Sequence, residues 1–168
     1  VMLGGSGKFG VDNRALPLSG KAAEVGGIFV KRGDLEMLLV GAGDDLKAAG
    51  ERGQMLAPVP PAQDLGRWRL TGEICDGKCS SGAMKPGTGL AHKACANLCI
   101  SGGVPPVFVS TAPVDGHIFL LLAGKDGGPM PKALLNKTSV PVVLEGTVER
   151  RDDLLIFKVE RLVGGVGA

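Results

Sequence analysis

Val25–Val40 (VGGIFVKRGDLEMLLV) falls without a gap on Leu144–Val159 (LEGTVERRDDLLIFKV), an offset of 119 residues. The same offset lays Val1–Gly5 on Leu120–Gly124 and Leu16 on Leu135. Eight of the first 40 positions are identical in this register. A repeated segment has to be a unit that folds the same way twice, and two unrelated hairpins of similar composition are the competing account. Each copy reads as a β-hairpin: a β-rich run, a polar turn (Lys31–Asp34; Arg150–Asp153), and a returning run. Gly27 and Gly146 interrupt the strand patterns at equivalent places, where glycine marks a bulge or a sharp bend.

The second copy carries further elements ahead of its hairpin. Arg67–Ile74, Pro106–Ser110 and His117–Ala123 read as strands, Pro131–Lys137 as a short helical piece, and 140–150 and 153–161 as the hairpin strands. Three strands, a helix and a hairpin is the order of an OB-type five-stranded barrel. An immunoglobulin-type sandwich needs about seven strands and has no place for the helix. The expected fold is therefore all-β, with two tandem OB-like barrels of which the first is partial. The expected division is 1–45 for the partial barrel, 46–63 for a linker, and 64–168 for the second barrel with a Cys-rich helical insertion at 75–104. Within the linker region, Ala42–Gly53 is polar with helical potential, and Ala57–Pro61 is a stiff extended run. The expected inward residues are Leu70, Val107, Phe119, Leu121, Val143, Val148, Ile156 and Val159, and all of Phe29, Phe108, Phe119 and Phe157 read as core. Because the first copy begins at the equivalent of a third strand, the natural protein is expected to continue N-terminally with an anchor or export signal.

Composition narrows the function classes. The 168 residues include 28 glycines and 11 prolines but carry their apolar residues in short separate runs, which suits a turn-rich globular protein. A formal net charge of +2 and a single Trp with no Tyr argue against nucleic-acid binding. Trp68 heads a strand where a barrel of this type stacks bases, and packing is the simpler role for it. Gly4–Lys8 lacks the spacing of a phosphate loop and reads as a turn. His117 reads as a strand-edge residue. No nucleophile with its base is evident, so the protein is expected not to be an enzyme.

All four cysteines fall between Cys75 and Cys99, with His92 three residues ahead of Cys95. A helix over Gly89–Ile100 places His92, Cys95 and Cys99 within about 60° of one another on one face. Cys79 can approach them from the end of the first strand. Two chemistries follow. Cys79, His92, Cys95 and Cys99 form a tetrahedral set for zinc, copper(I) or iron. Alternatively Cys75 and Cys79 pair with Cys95 and Cys99 in two disulfides, each closing a loop that stabilises by about 3 kcal/mol. The disulfide reading, with no cofactor, is the leading expectation. Asp76 and Glu73 flank the cysteines and are expected to be solvated.

At these residues the chain resembles a family of small bacterial extracytoplasmic OB-like proteins. They carry G-E-I-x-D-x-K-C…H-x-x-C-A-x-x-C-I-x-x-G-x-P. The matching residues are Thr71-Gly72-Glu73-Ile74, Cys79, Met84-x-Pro86-Gly87-x-Gly89, and His92-x-x-Cys95-Ala96-x-x-Cys99-Ile100-x-Gly102-Gly103-x-Pro105-Pro106. The resemblance covers about 66–161 and is specific across 72–106. In the family pattern an aliphatic residue stands where this chain has Cys75. The resemblance implies a periplasmic or cell-envelope, membrane-associated location, and no reaction. The expected function is a non-catalytic accessory subunit with protein partners in a membrane assembly, such as a respiratory or photosynthetic electron-transfer complex. Membrane association would come through an N-terminal segment or a partner subunit. The alternative is a metal- or cofactor-binding electron-transfer protein using the Cys/His cluster.

Overall fold

The computed structural model describes residues 1–50 and 60–165. It is mostly β, with short helical pieces, and its strands fall into separate sheets. The larger assembly uses β6 (Gln63–Asp76), β7 (Pro106–Val114), β8 (His117–Gly124), β9 (Pro141–Arg151) and β10 (Leu154–Gly165). Each of these five strands is hydrogen-bonded to two others, in the cyclic order β10–β8–β7–β6–β9. Only β8 and β10 run parallel; the other pairs are antiparallel. A 3-10 segment, Lys132–Lys137, fills the connection between β8 and β9. The Cys-rich insertion joins β6 to β7 and holds α2 (Gly77–Ser80) and α3 (Lys93–Ser101).

The smaller sheet has the order β1 (Met2–Gly4), β4 (Leu35–Val40), β3 (Gly27–Arg32). Its pairing reproduces the ring residue for residue. Met2 faces Met37 in a parallel pair, and 119 positions on, Leu121 faces Ile156 in another. Gly27 faces Val40 as Gly146 faces Val159, both antiparallel. The hairpin turns agree as well, with left-handed residues at Gly33 (φ 60°) and Asp152 (φ 55°). Gly27 and Gly146 are glycine for one reason. A Cβ there would lie 2.1 Å from the Leu39 carbonyl oxygen or 2.0 Å from that of Lys158. The echo in the sequence is thus a duplication of strand register.

The first unit runs further than its hairpin. β2 (Ala23–Val25) bonds to β5 (Leu46–Ala48), so a strand occupies the start of the expected linker. Gly43–Asp45 is a 3-10 turn rather than the opening of a helix. Most of the Ala57–Pro61 run lies outside the described residues. The helical piece of this unit is α1 (Asp12–Ala15), continued by a 3-10 turn at Leu16–Leu18.

The interior of the ring is Leu70, Ile74, Phe108, Leu120, Leu122, Val142, Leu144, Val148, Leu155, Phe157 and Val159 with their neighbours. Leu70, Val148 and Val159 are inward as expected. On β7 and β8 the expected parity is reversed. Val107, Phe119 and Leu121 face outward onto Met2, Leu35 and Met37 of the first sheet. Val143 and Ile156 are likewise only half-buried and outside the interior cluster. These strands are apolar on both faces because a second sheet covers the outer one, so alternation loses its meaning there. Phe29 is not core; it is exposed on β3. Among the described residues no helix is long and apolar enough to cross a membrane.

Candidate metal centre

β6 delivers Asp76 to the edge of the ring, where its carboxylate serves two elements. One oxygen accepts the Cys79 backbone N–H at 3.0 Å, capping α2. The other lies 2.8 Å from Nε2 of His92. Both side chains are fully buried, so the expectation of a solvated Asp76 is corrected. A carboxylate without a partner does not survive such burial, and here it has two. Glu73 is also engaged, accepting the Gly89 N–H at 2.8 Å and tying the insertion loop to β6.

α3 supplies Cys95 and Cys99 one turn apart, and His92 stands at its N-terminal end. Cys79 faces them from α2. The ligand atoms of Asp76, Cys79, His92 and Cys95 all lie within 4.8 Å of one another. Cys99 adds a third thiol: the ammonium of Lys8 donates to Cys95 Sγ at 2.9 Å and reaches Cys99 Sγ at 3.9 Å. Burial first, then the Asp76 charge, pushes the Cys79 thiol up. The same causes in the same order push Cys99 up to about 11. Lys8 is raised by its bond to Cys95.

All four cysteines are free thiols. The expected pairing of Cys75 and Cys79 with Cys95 and Cys99 is therefore not what the structure holds. Strand alternation is the reason. Ile74 points into the ring and Asp76 into the cluster, while Cys75 points to the other face of β6. There its thiol is pushed up to about 12 by burial, then by the charges of Glu73 and Asp76.

Two site residues were given no role by sequence reasoning, although Lys78 is the K of the G-E-I-x-D-x-K-C pattern. Lys78 is buried in α2, and its ammonium donates to the carbonyls of Gly5 and Gly7. Burial lowers its pKa. Lys8 comes from the same glycine loop. Gly4–Lys8 therefore clasps the cysteine cluster, and the sequence offered for this loop only a lysine beside glycines. A cavity of about 710 Å³ opens beside the thiols, lined by Lys8, Ile28, Leu39, Met84, Cys95 and Cys99. His117 does more than sit at an edge: its Nδ1 lies 2.6 Å from Asp34 in the turn of the first sheet. Trp68 donates its indole N–H to the Leu65 carbonyl at 2.9 Å and packs against the ring interior.

No family model matches the chain, and neither a curated protein nor a solved structure does.

Proposed function

We propose that this protein is a metal-binding protein built on an OB-type ring, holding one soft metal ion through Cys79, His92, Cys95 and Cys99. The observation that carries the reading is the convergence of the ligand atoms of Asp76, Cys79, His92 and Cys95 within 4.8 Å, with Cys99 Sγ joined to Cys95 Sγ through the shared Lys8 ammonium. Three sulfurs and one imidazole suit zinc or copper(I), and iron less selectively. Asp76 takes the outer role: with Nε2 of His92 held by the carboxylate, the other ring nitrogen is the one left for a metal. The raised thiols fit the same picture. Burial disfavours a lone thiolate, and a cation among the sulfurs reverses that preference.

The chemistry available is ligation and, with copper or iron, one-electron transfer. Cys95 is the least buried of the three clustered thiols and faces the cavity, so exchange of metal or electrons would pass on that side.

Reduced protein titrated with cobalt(II) should take up one equivalent and show thiolate-to-metal charge-transfer bands with tetrahedral d–d absorption. Zinc or copper(I) should then displace it and protect three thiols from alkylation, leaving Cys75 for the unfolded state. His92→Ala and Cys99→Ser should weaken uptake, and Cys75→Ser should not. Cys79, Cys95 and Cys99 remaining open to alkylation in the presence of excess zinc and copper(I), or recovery of two disulfides from unreduced protein, overturns the proposal.

A further inference from the structure

In the ring, β9 is bonded on one side to β10 and on the other to β6. Its counterpart in the first sheet, β3, is bonded to β4 alone among the described residues. The missing neighbour leaves a mark on exposure. Val148 of β9 is 0% exposed, and Phe29, its equivalent 119 residues earlier, is 54% exposed. Ile28 on the opposite face is 69% exposed. Sheet edges in native proteins are ordinarily blunted by charge, proline or a covering element. From Gly27 to Val30 this edge has neither charge nor proline, and its charges, Lys31 and Arg32, stand together at the turn end.

We infer that β3 is the docking edge for one extended strand of a partner polypeptide, running antiparallel to it as β6 runs against β9. The duplicated register specifies that strand's chemistry. Trp68 of β6 stands opposite Gly146, so an aromatic side chain belongs opposite Gly27, covering a glycine that has no side chain of its own. Leu65 lies in the irregular stretch of β6 that passes Val148, between the pairs Asp64–Glu149 and Arg67–Thr147. An aliphatic residue therefore belongs over Phe29. Backbone hydrogen bonds supply affinity and these two side chains supply selectivity. In a second copy β6 is bonded on both sides, and its open β3 edge, in the register that lays Phe29 over Gly27, would set Gly27 rather than an aliphatic residue over Phe29.

The probe is a labelled peptide spanning residues 62–74 of this chain, titrated with the intact protein and read by fluorescence anisotropy. Saturable one-to-one binding is expected. Phe29→Glu in the protein, or Trp68→Ala in the peptide, should weaken it at least about tenfold. Phe9→Glu, at an exposed site away from the sheet edge, should not. Circular dichroism checks that the variants fold, and Ile28→Lys reads the same edge if Phe29→Glu does not. Absence of binding, or binding indifferent to these edge variants, overturns the inference. So does a dimer in sedimentation that Phe29→Glu dissociates, since the occupant would then be a second copy.

Discussion

One carboxylate, that of Asp76, orients the imidazole of His92 and caps the helix that carries Cys79. Asp76→Asn keeps a capping oxygen and removes the charge beside the imidazole. Metal affinity, measured by competition with a chelator, should fall about 10–100-fold while the apo-protein's melting temperature changes little. Asp76→Ala should lose the cap as well, a further cost of about 1 kcal/mol. Cys75 offers the opposite kind of test. Its thiol, at about 12, lies above the ordinary 9.0. A folded value above the unfolded one means that its contribution is whole below pH 9 and is lost as the pH rises through 12. Cys75→Val should match the parent at neutral pH within about 1.5 kcal/mol. It should be the more stable of the two in denaturant titrations above pH 10. Asp76 was missed, being read as solvated, whereas the convergence of His92 and Cys95 was legible because they share a helical face, which local spacing reveals. Lys8 and Lys78 were not, because their partners lie far away in sequence (Cys95 and Gly5), and no periodicity links such pairs.

At the level of elements, the ring strands, the β3–β4 hairpin and the α3 helix were readable from turn residues and β-rich runs, whereas β5 was read as linker. Their inward faces were readable only where one side meets solvent. β9 and β10 gave Val148 and Val159 correctly but Val143 and Ile156 wrongly, and the doubly covered β7 and β8 gave the wrong parity throughout. The glycines of the two hairpins give the element-scale prediction. Gly146→Ala would drive a methyl group to 2.0 Å from the Lys158 carbonyl, so β9 and β10 must part. A loss of roughly 1–3 kcal/mol is expected, as for other overpacked sites. Gly27→Ala should behave alike at its 2.1 Å contact. Gly164→Ala, with no atom within 4 Å of the added carbon, should be nearly neutral. Equal stabilities for Gly146→Ala and Gly164→Ala, from urea denaturation, would refute the packing account.

Across the whole molecule, the two sheets meet outer face to outer face. Met2, Leu35 and Met37 pack on Val107 and Phe119, with Cys99 and Val104 in the same apolar cluster. The Cys/His cluster sits at the edge of that contact, and the Gly4–Lys8 loop reaches it from the first sheet. A role as an accessory subunit would use the other side of this sheet, at the open edge of β3, and would leave the inner contact undisturbed. The contact should make the two units unfold together. Calorimetry of the parent should show a single transition, and Met37→Ala, which empties a fully buried position, should cost roughly 2–5 kcal/mol. Met37→Asp places a carboxylate there without a partner and should split the transition in two, with the ring melting second. It should also weaken cobalt binding, since Lys8 loses the sheet that positions its loop and Lys78 loses its carbonyl partners there. His117→Ala removes only the half-exposed bond to Asp34 and should leave one transition. If the parent itself melts in two steps, or Met37→Asp binds cobalt as tightly as the parent, the sheets are independent and the site belongs to the ring alone.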